Sequence, residues 1–121
     1  MFDWGEYLNQ AQRLAAGGDE AGYRSSISRA YYSVFGLARR RLSDVEHLPV
    51  PNTGRAHEYV WTTFGSESTD VTRAAIGAGG RRLRNRRNLA DYDDVVADLA
   101  LLSSESLAEA QRVIALIDTL P

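Results

Sequence analysis

The sequence of 121 residues contains no cysteine and no lysine, and it has only two histidines and three prolines. The lack of cysteine excludes disulfide scaffolds, thiolate zinc sites and cysteine nucleophiles. No apolar run approaches the roughly 20 residues that span a bilayer, and the opening MFDWGEYLNQ lacks the basic start and apolar core of a signal peptide. We therefore expect a cytoplasmic protein without membrane contact that forms one domain over residues 1–121.

Positive charge is carried by arginine alone. Fourteen arginines face sixteen acidic residues, which leaves a formal net charge of −2 and no general attraction to nucleic acid. Any phosphate binding must therefore come from local clustering. The arginines do cluster, at 39–41 and in the segment RRLRNRRNLADYDD at 81–94, which has five arginines in seven positions and then turns acidic. This pattern has two alternative explanations, a compositional bias of the source genome and selection for guanidinium chemistry.

Apolar spacing and capping residues predict an all-α fold, an antiparallel bundle of four long helices and one short helix. Strand-like alternation is absent, and the prolines leave long intervals free to be helical. We place the helices at about 2–16, 20–45, 55–64, 70–88 and from the acidic turn to 120. The predicted N-caps of the second, fourth and fifth helices are Asp19, Ser68 or Thr69, and Asp93 or Asp94.

One face of the second helix is lined by small residues with two arginines among them. Small side chains allow another backbone to approach closely, so this face could receive a neighbouring helix or a partner subunit. A solvated face is the alternative, and we favour it at this point. The members of the row are Ser25, Ser26, Arg29, Ser33, Gly36 and Arg40.

The arginines of the fourth helix are not equivalent. Ile76, Leu83 and Ala90 are spaced by seven residues and define a stripe that should face the core. Arg86 and Arg87 fall beside this stripe, so we expect them to be partly desolvated. The other arginines of the segment point elsewhere; they are Arg81, Arg82 and Arg84.

A desolvated arginine needs a partner, because an unpaired buried charge is costly. Asp91, Asp93 and Asp94 can supply carboxylates, and Tyr92 can add a hydroxyl or a stacking face. The functional alternative is a phosphate that competes with these aspartates, since the guanidinium fork matches phosphate oxygens.

Two segments, YRSSISRAYYSVFGLARRRL at 23–42 and RRLRNRRNLADYDD at 81–94, together resemble the HEPN domain (higher eukaryotes and prokaryotes nucleotide-binding) in its compact single-domain prokaryotic branch. The intervening GRAHEYVWTTFGSES is similar to the middle helix of that branch, and the resemblance covers roughly residues 5–115. It implies a helical bundle that often forms a homodimer. It also implies that the protein is one component of a toxin–antitoxin or defence pair whose other component is a nucleotidyltransferase. Many members of the family are metal-independent ribonucleases.

The sequence departs from the family pattern at the active site. HEPN ribonucleases have an arginine followed, after four to six residues, by a histidine that moves protons near neutral pH. Here Ala90-Asp91-Tyr92 stands in that place. Ionised Asp91 could act as a base but hardly as an acid, and Tyr92 would be a poor base. His57, on a separate helix, is the possible replacement, although a packed structural histidine is the alternative; His47 is expected to be exposed.

Three hypotheses remain open. The first is a HEPN-type nucleotide- or RNA-associated module in a toxin–antitoxin or defence pair with a nucleotidyltransferase, with phosphate bound by Arg84, Arg86 and Arg87. The second is an active metal-independent endoribonuclease toxin that uses Arg87 with Asp91, Tyr92 or His57. The third is a purely structural dimeric bundle. We expect no cofactor or metal, because the acidic cluster more plausibly caps the fifth helix; its members are Asp91, Asp93, Asp94 and Asp98.

Overall fold

The computed structural model describes residues 1–65 and 69–121. Within these ranges the chain forms five α-helices: α1 (Gly5–Ala16), α2 (Glu20–Arg40), α3 (Arg55–Gly65), α4 (Val71–Tyr92) and α5 (Leu99–Asp118). A π-helical turn over Arg41–Val45 continues α2, so this helix ends where the sequence predicts. The predicted all-α bundle is confirmed. α1 has 12 residues and is nearly as short as α3, which has 11.

Aspartates set the starts of α2 and α4. Asp19 caps α2 as predicted, and its Oδ1 accepts a backbone N–H at 2.7 Å. Asp70 caps α4, where its Oδ1 accepts two backbone N–H groups at 2.8 and 3.2 Å. The predicted cap at Thr69 is therefore wrong, because the carboxylate one residue later takes both N–H groups; the alternative, Ser68, lies outside the described residues.

The acidic turn differs from the prediction. Neither Asp93 nor Asp94 caps α5; the N-cap position is Asp98, whose φ of 52° lies in the left-handed region. Arg24 of α2 accounts for the difference, because it donates to the carbonyls of Ala90 at 2.9 Å, Asp93 at 2.6 Å and Asp94 at 3.0 Å. A guanidinium from another helix thus satisfies carbonyls at the end of α4 and holds the turn in a non-helical path.

The helices do not all alternate in direction. α1 and α2 are joined by the short turn at 17–19 and run antiparallel. α2 and α5 lie side by side and run parallel, since Ser103 Oγ donates to Ser26 Oγ near their starts and Arg41 Nη1 to the Leu120 carbonyl near their ends. This parallel pair requires the longer connections through α3 and α4. None of the helices in the described ranges combines the length and hydropathy needed to cross a bilayer.

The core lies between α2, α3, α4 and α5. Its largest fully buried side chains include Trp61, Tyr31, Phe64 and Ile27. Gly80 of α4 lets Trp61 pack against the helix backbone, because a Cβ at residue 80 would lie 2.2 Å from Trp61 Cε3. The stripe predicted to face the core is confirmed, with Ile76, Leu83 and Ala90 all buried.

Of the small residues in the row on α2, only Ser25 is exposed to solvent. Ser26 and Ser33 are fully buried, and Gly36 is covered by the Trp4 ring, which lies where a Cβ at residue 36 would be. Ser26 contacts α5 and Gly36 contacts the start of α1. The favoured expectation of solvent exposure is therefore wrong, because small side chains let neighbouring helices of the same chain approach α2.

Candidate anion-binding site

The five arginines of α4 differ in burial as the helix turns. Side-chain exposure is 55% at Arg82 and 41% at Arg81, but 21% at Arg86 and 8% at Arg87. Arg84 lies between these pairs at 30%. The prediction that Arg86 and Arg87 are partly desolvated is confirmed. Their partners, however, lie on different helices.

Arg86 faces α5 and joins an ion-pair network there. Its Nη2 is 3.8 Å from Glu105 and its Nη1 is 4.0 Å from Glu109, which is buried and also accepts from Arg82 and Arg112. Burial alone would raise the pKa of Glu109, but the hydrogen bonds from Arg82 and Arg112 hold that pKa below its usual value. Arg86 therefore stabilises the contact between α4 and α5.

Arg87 is enclosed by aromatic rings instead. The residue is 7% exposed, and its Cζ lies 5.4 Å from the ring centroids of both Tyr31 and Tyr32 and 5.9 Å from that of Tyr92. These cation–π contacts fix the guanidinium in place. Its Nη1 is 3.8 Å from Asp91 Oδ2, too far for a hydrogen bond, and its Nε has no hydrogen-bond partner among the described residues.

Of the three aspartates predicted to pair with these arginines, only Asp91 does so within the described ranges. Asp91 also accepts from Ser28 Oγ at 3.4 Å, so it lies between α2 and α4. Asp93 and Asp94 contribute their backbone carbonyls to Arg24 instead. Arg87 therefore has one loosely placed carboxylate rather than three.

A hydrogen-bonded chain from α3 ends beside Arg87. Trp61 Nε1 donates to Tyr31 Oη at 3.2 Å, and Tyr31 Oη lies 2.5 Å from His57 Nδ1. Because Tyr31 is fully buried, its hydroxyl hydrogen requires an acceptor. Trp61 can only donate, so the acceptor is His57 Nδ1. The imidazole hydrogen therefore resides on Nε2.

The ionisation states agree with this assignment. Burial raises the pKa of Tyr31 to about 12, so the hydroxyl keeps its hydrogen. Burial, followed by the positive charges of Arg84 and Arg87, lowers the pKa of His57 to about 4. His57 is therefore a neutral ring at neutral pH, stacked on Phe35 with 4.3 Å between the ring centroids.

Helices α2, α3 and α4 thus bring together Tyr31, Tyr32, His57, Arg84 and Arg87, which we call the arginine–tyrosine cluster. The Nε atoms of Arg84 and Arg87 are buried without a hydrogen-bond partner among the described residues, and His57 Nε2 makes no hydrogen bond there. Two buried N–H donors therefore lack an acceptor and His57 Nε2–H is free to donate, although Arg84 also pairs through Nη1 with Glu58 at 3.4 Å. An anion with several acceptor oxygens would satisfy them with charge-assisted hydrogen bonds.

The predicted site residues are only partly gathered in this cluster. His57, Arg84 and Arg87 belong to it, and Asp91 lies at its edge. Tyr92 approaches Arg87 but is 73% exposed. His47 is exposed, as predicted.

Sequence reasoning missed the two tyrosines. The ring of Tyr31 is fully buried in the core. The signal that could have identified its second role is the polar partner that a buried tyrosine hydroxyl needs. With Trp61 and His57 on one predicted helix, four residues apart, both partners were available.

His57 gives the stability of the fold a specific pH dependence. Its pKa falls from 6.5 in the unfolded chain to about 4 in the fold, so the unfolded chain binds its proton first. The stability that the neutral ring contributes is complete above pH 6.5 and is lost as pH falls towards 4. Between pH 7.5 and 5 we expect the free energy of unfolding to fall by about 2 kcal/mol less in His57→Gln than in the natural protein. Urea unfolding of both proteins at pH 7.5 and 5 measures it, and identical pH profiles would contradict the assigned pKa.

Comparisons of the chain with protein-family models, curated proteins and solved structures give no match. The likeness to HEPN domains accordingly remains a resemblance carried by the segments at 23–42 and 81–94. Across 1–65 and 69–121, no group of three or more histidine or acidic side chains is placed to hold a metal ion.

Proposed function

We propose that the arginine–tyrosine cluster binds a phosphate group of RNA or of a nucleotide, and that the chain acts as a HEPN-type binding module. One observation carries the proposal: Arg87 is 93% buried, yet its Nε is unpaired and its single carboxylate neighbour is 3.8 Å away. A buried charge with such weak pairing costs free energy unless a ligand completes it.

The donors favour phosphate over a carboxylate. Arg84, Arg87 and the neutral His57 ring come from two different helices, and each has an N–H group to offer. A phosphate presents three or more acceptor oxygens in a tetrahedral arrangement, whereas a carboxylate presents two in a plane. Three donors outnumber the oxygens of one carboxylate, so they match the first shape better.

The same geometry favours binding over cleavage. General acid–base catalysis needs groups with a pKa near the working pH. The pKa values of His57 at about 4 and Tyr31 at about 12 both lie far from it. His57 also presents Nε2–H, a donor, where a general base would need a free nitrogen. The ribonuclease alternative, which uses Arg87 with Asp91, Tyr92 or His57, is therefore less well supported where it relies on His57.

The proposed partners of the protein rest only on the resemblance to HEPN domains. A HEPN-type module would form a homodimer and act with a nucleotidyltransferase in a toxin–antitoxin or defence pair. Exposed apolar side chains near the cluster, at the end of α4 and just beyond it, are compatible with a partner surface; they are Leu89, Tyr92 and Val95. Co-purification of the chain with such a partner would test this extension.

The test of phosphate binding is the salt dependence of RNA affinity. We expect a short single-stranded RNA to bind more weakly as salt rises, with about 0.7 log units lost per tenfold salt for each neutralised phosphate. Fluorescence anisotropy measures this, and an RNA of the same sequence with an uncharged methylphosphonate backbone is the control. Equal affinity for both RNAs would refute phosphate binding. Cleavage of the RNA in the presence of chelator would support the ribonuclease alternative instead.

A further inference from the structure

A second feature adjoins the arginine–tyrosine cluster. A cavity of about 460 Å³ opens between the start of α1, one face of α2 with its π-helical turn, and the loop that follows. Tyr32 lines this cavity, and its ring centroid is also 5.4 Å from Arg87 Cζ. The cavity and the proposed phosphate site therefore share one side chain.

The cavity has aromatic walls. Trp4, Tyr32 and Phe35 line it, and the ring of Trp4 is held against Gly36, where any larger side chain would displace it. Phe35 is fixed from behind by its stacking on His57. Rigid aromatic walls next to a positive charge suit a flat heteroaromatic ring, as in proteins that stack unpaired nucleobases.

Arg40 lines the same cavity and donates to the Phe2 carbonyl at 2.8 Å, but three other polar side chains there are unused. Arg39, Ser43 and Asp44 line it, and none of them forms a hydrogen bond or ion pair within the described part of the chain. A guanidinium offers donors and a carboxylate offers acceptors, so a complementary ligand edge needs both kinds of group. Guanine has both: O6 and N7 accept from arginine, while N1–H and the amino group can donate to a carboxylate. Adenine fits less well, because its unprotonated N1 is an acceptor and would face the carboxylate of Asp44, which also only accepts.

We propose that this cavity is a base subsite for an unpaired guanine whose phosphate is held by the arginine–tyrosine cluster. The inference rests on the proposed phosphate binding and adds the class of nucleotide. The same guanine could come from a free guanine nucleotide or from a single-stranded RNA. A base-paired guanine is excluded as a ligand, because pairing occupies N1–H and the amino group.

Calorimetric titration with three ligands that share a phosphate tests the subsite. We expect GMP to bind about tenfold more tightly than ribose 5-phosphate and about fivefold more tightly than AMP. Equal affinity for all three would overturn the base subsite and leave phosphate binding intact. Failure of all three to bind would overturn both. A single-stranded RNA containing guanine that binds more tightly than GMP would assign the site to RNA, and the reverse order would assign it to the free nucleotide.

Asp44→Asn sharpens the test because it alters one acceptor of the subsite. We expect the preference for GMP over AMP to disappear while the affinity for ribose 5-phosphate stays unchanged. Asp118→Asn is the matched control, since Asp118 is exposed on α5 and lies outside this cavity. An unchanged preference in Asp44→Asn would overturn the guanine assignment, and circular dichroism establishes that both variants are folded.

Discussion

Gly80→Ala is expected to lower the free energy of unfolding by about 2 kcal/mol, although alanine is the better helix former by about 1 kcal/mol. A Cβ at this position would lie 2.2 Å from Trp61 Cε3, and Trp61 is fully buried. The ring cannot turn away freely, because its Nε1 donates to Tyr31. α3 and α4 must therefore separate, which opens voids elsewhere in the core. Urea denaturation followed by circular dichroism measures the loss.

Gly54→Ala is the matched control for this substitution. Gly54 lies in the connection before α3, and nothing would lie within 4 Å of an added Cβ. The change should leave stability the same or raise it by up to about 1 kcal/mol, because it restricts the unfolded chain. Similar unfolding midpoints for Gly80→Ala and the natural protein would contradict the packing described between Trp61 and α4.

Arg87→Gln is expected to weaken RNA binding at least about tenfold, equivalent to about 1.4 kcal/mol of binding free energy. The substitution removes the most buried cation of the cluster and the guanidinium donors that would bind the phosphate oxygens. Stability should fall as well, by about 1 kcal/mol, because the substitution removes the cation–π contacts with Tyr31 and Tyr32, whereas the carboxylate neighbour at 3.8 Å adds little. Anisotropy and urea unfolding of the same preparation separate the two effects. A purely structural arginine would show lower stability with unchanged affinity.

Two further variants show whether the effect is local. Arg82→Gln removes the same charge from the same helix, but Arg82 is 55% exposed and faces Glu109, so we expect less than about a threefold loss of affinity. Asp91→Asn removes the carboxylate that competes with phosphate for Arg87, and we expect it to strengthen binding about threefold. Equal losses in Arg87→Gln and Arg82→Gln would point to general charge rather than a built site.

Local rules predicted much of the fold. The apolar stripe on α4 and the cap at Asp19 act over a few residues, so their effects could be derived directly. The prediction was wrong where a distant residue intervened. Arg24 holds the carbonyls of the acidic turn some 70 residues away, which displaces the start of α5 from the predicted caps to Asp98.

In the candidate site, too, local features could be predicted and contacts between helices could not. Helical periodicity alone predicted that Arg86 and Arg87 would be partly desolvated. It could not predict that Arg86 pairs with α5 while Arg87 sits among the tyrosines of α2, because a guanidinium on a long side chain takes the partner that packing provides. The neutral state of His57 depends likewise on burial and on two arginines from another helix.

The class of fold, the core-facing stripe of α4 and the partial burial of Arg86 and Arg87 follow from spacing along a single helix, so they can be predicted from the chain alone. Which helices lie parallel, where the small residues of α2 are buried and which arginines share a site follow from packing between helices. Those features depend on contacts between α2, α3, α4 and α5, and the free energy of a contact is set by both partners. The unpaired Nε atoms of Arg84 and Arg87 are the product of that packing, and the proposal of phosphate binding depends on them.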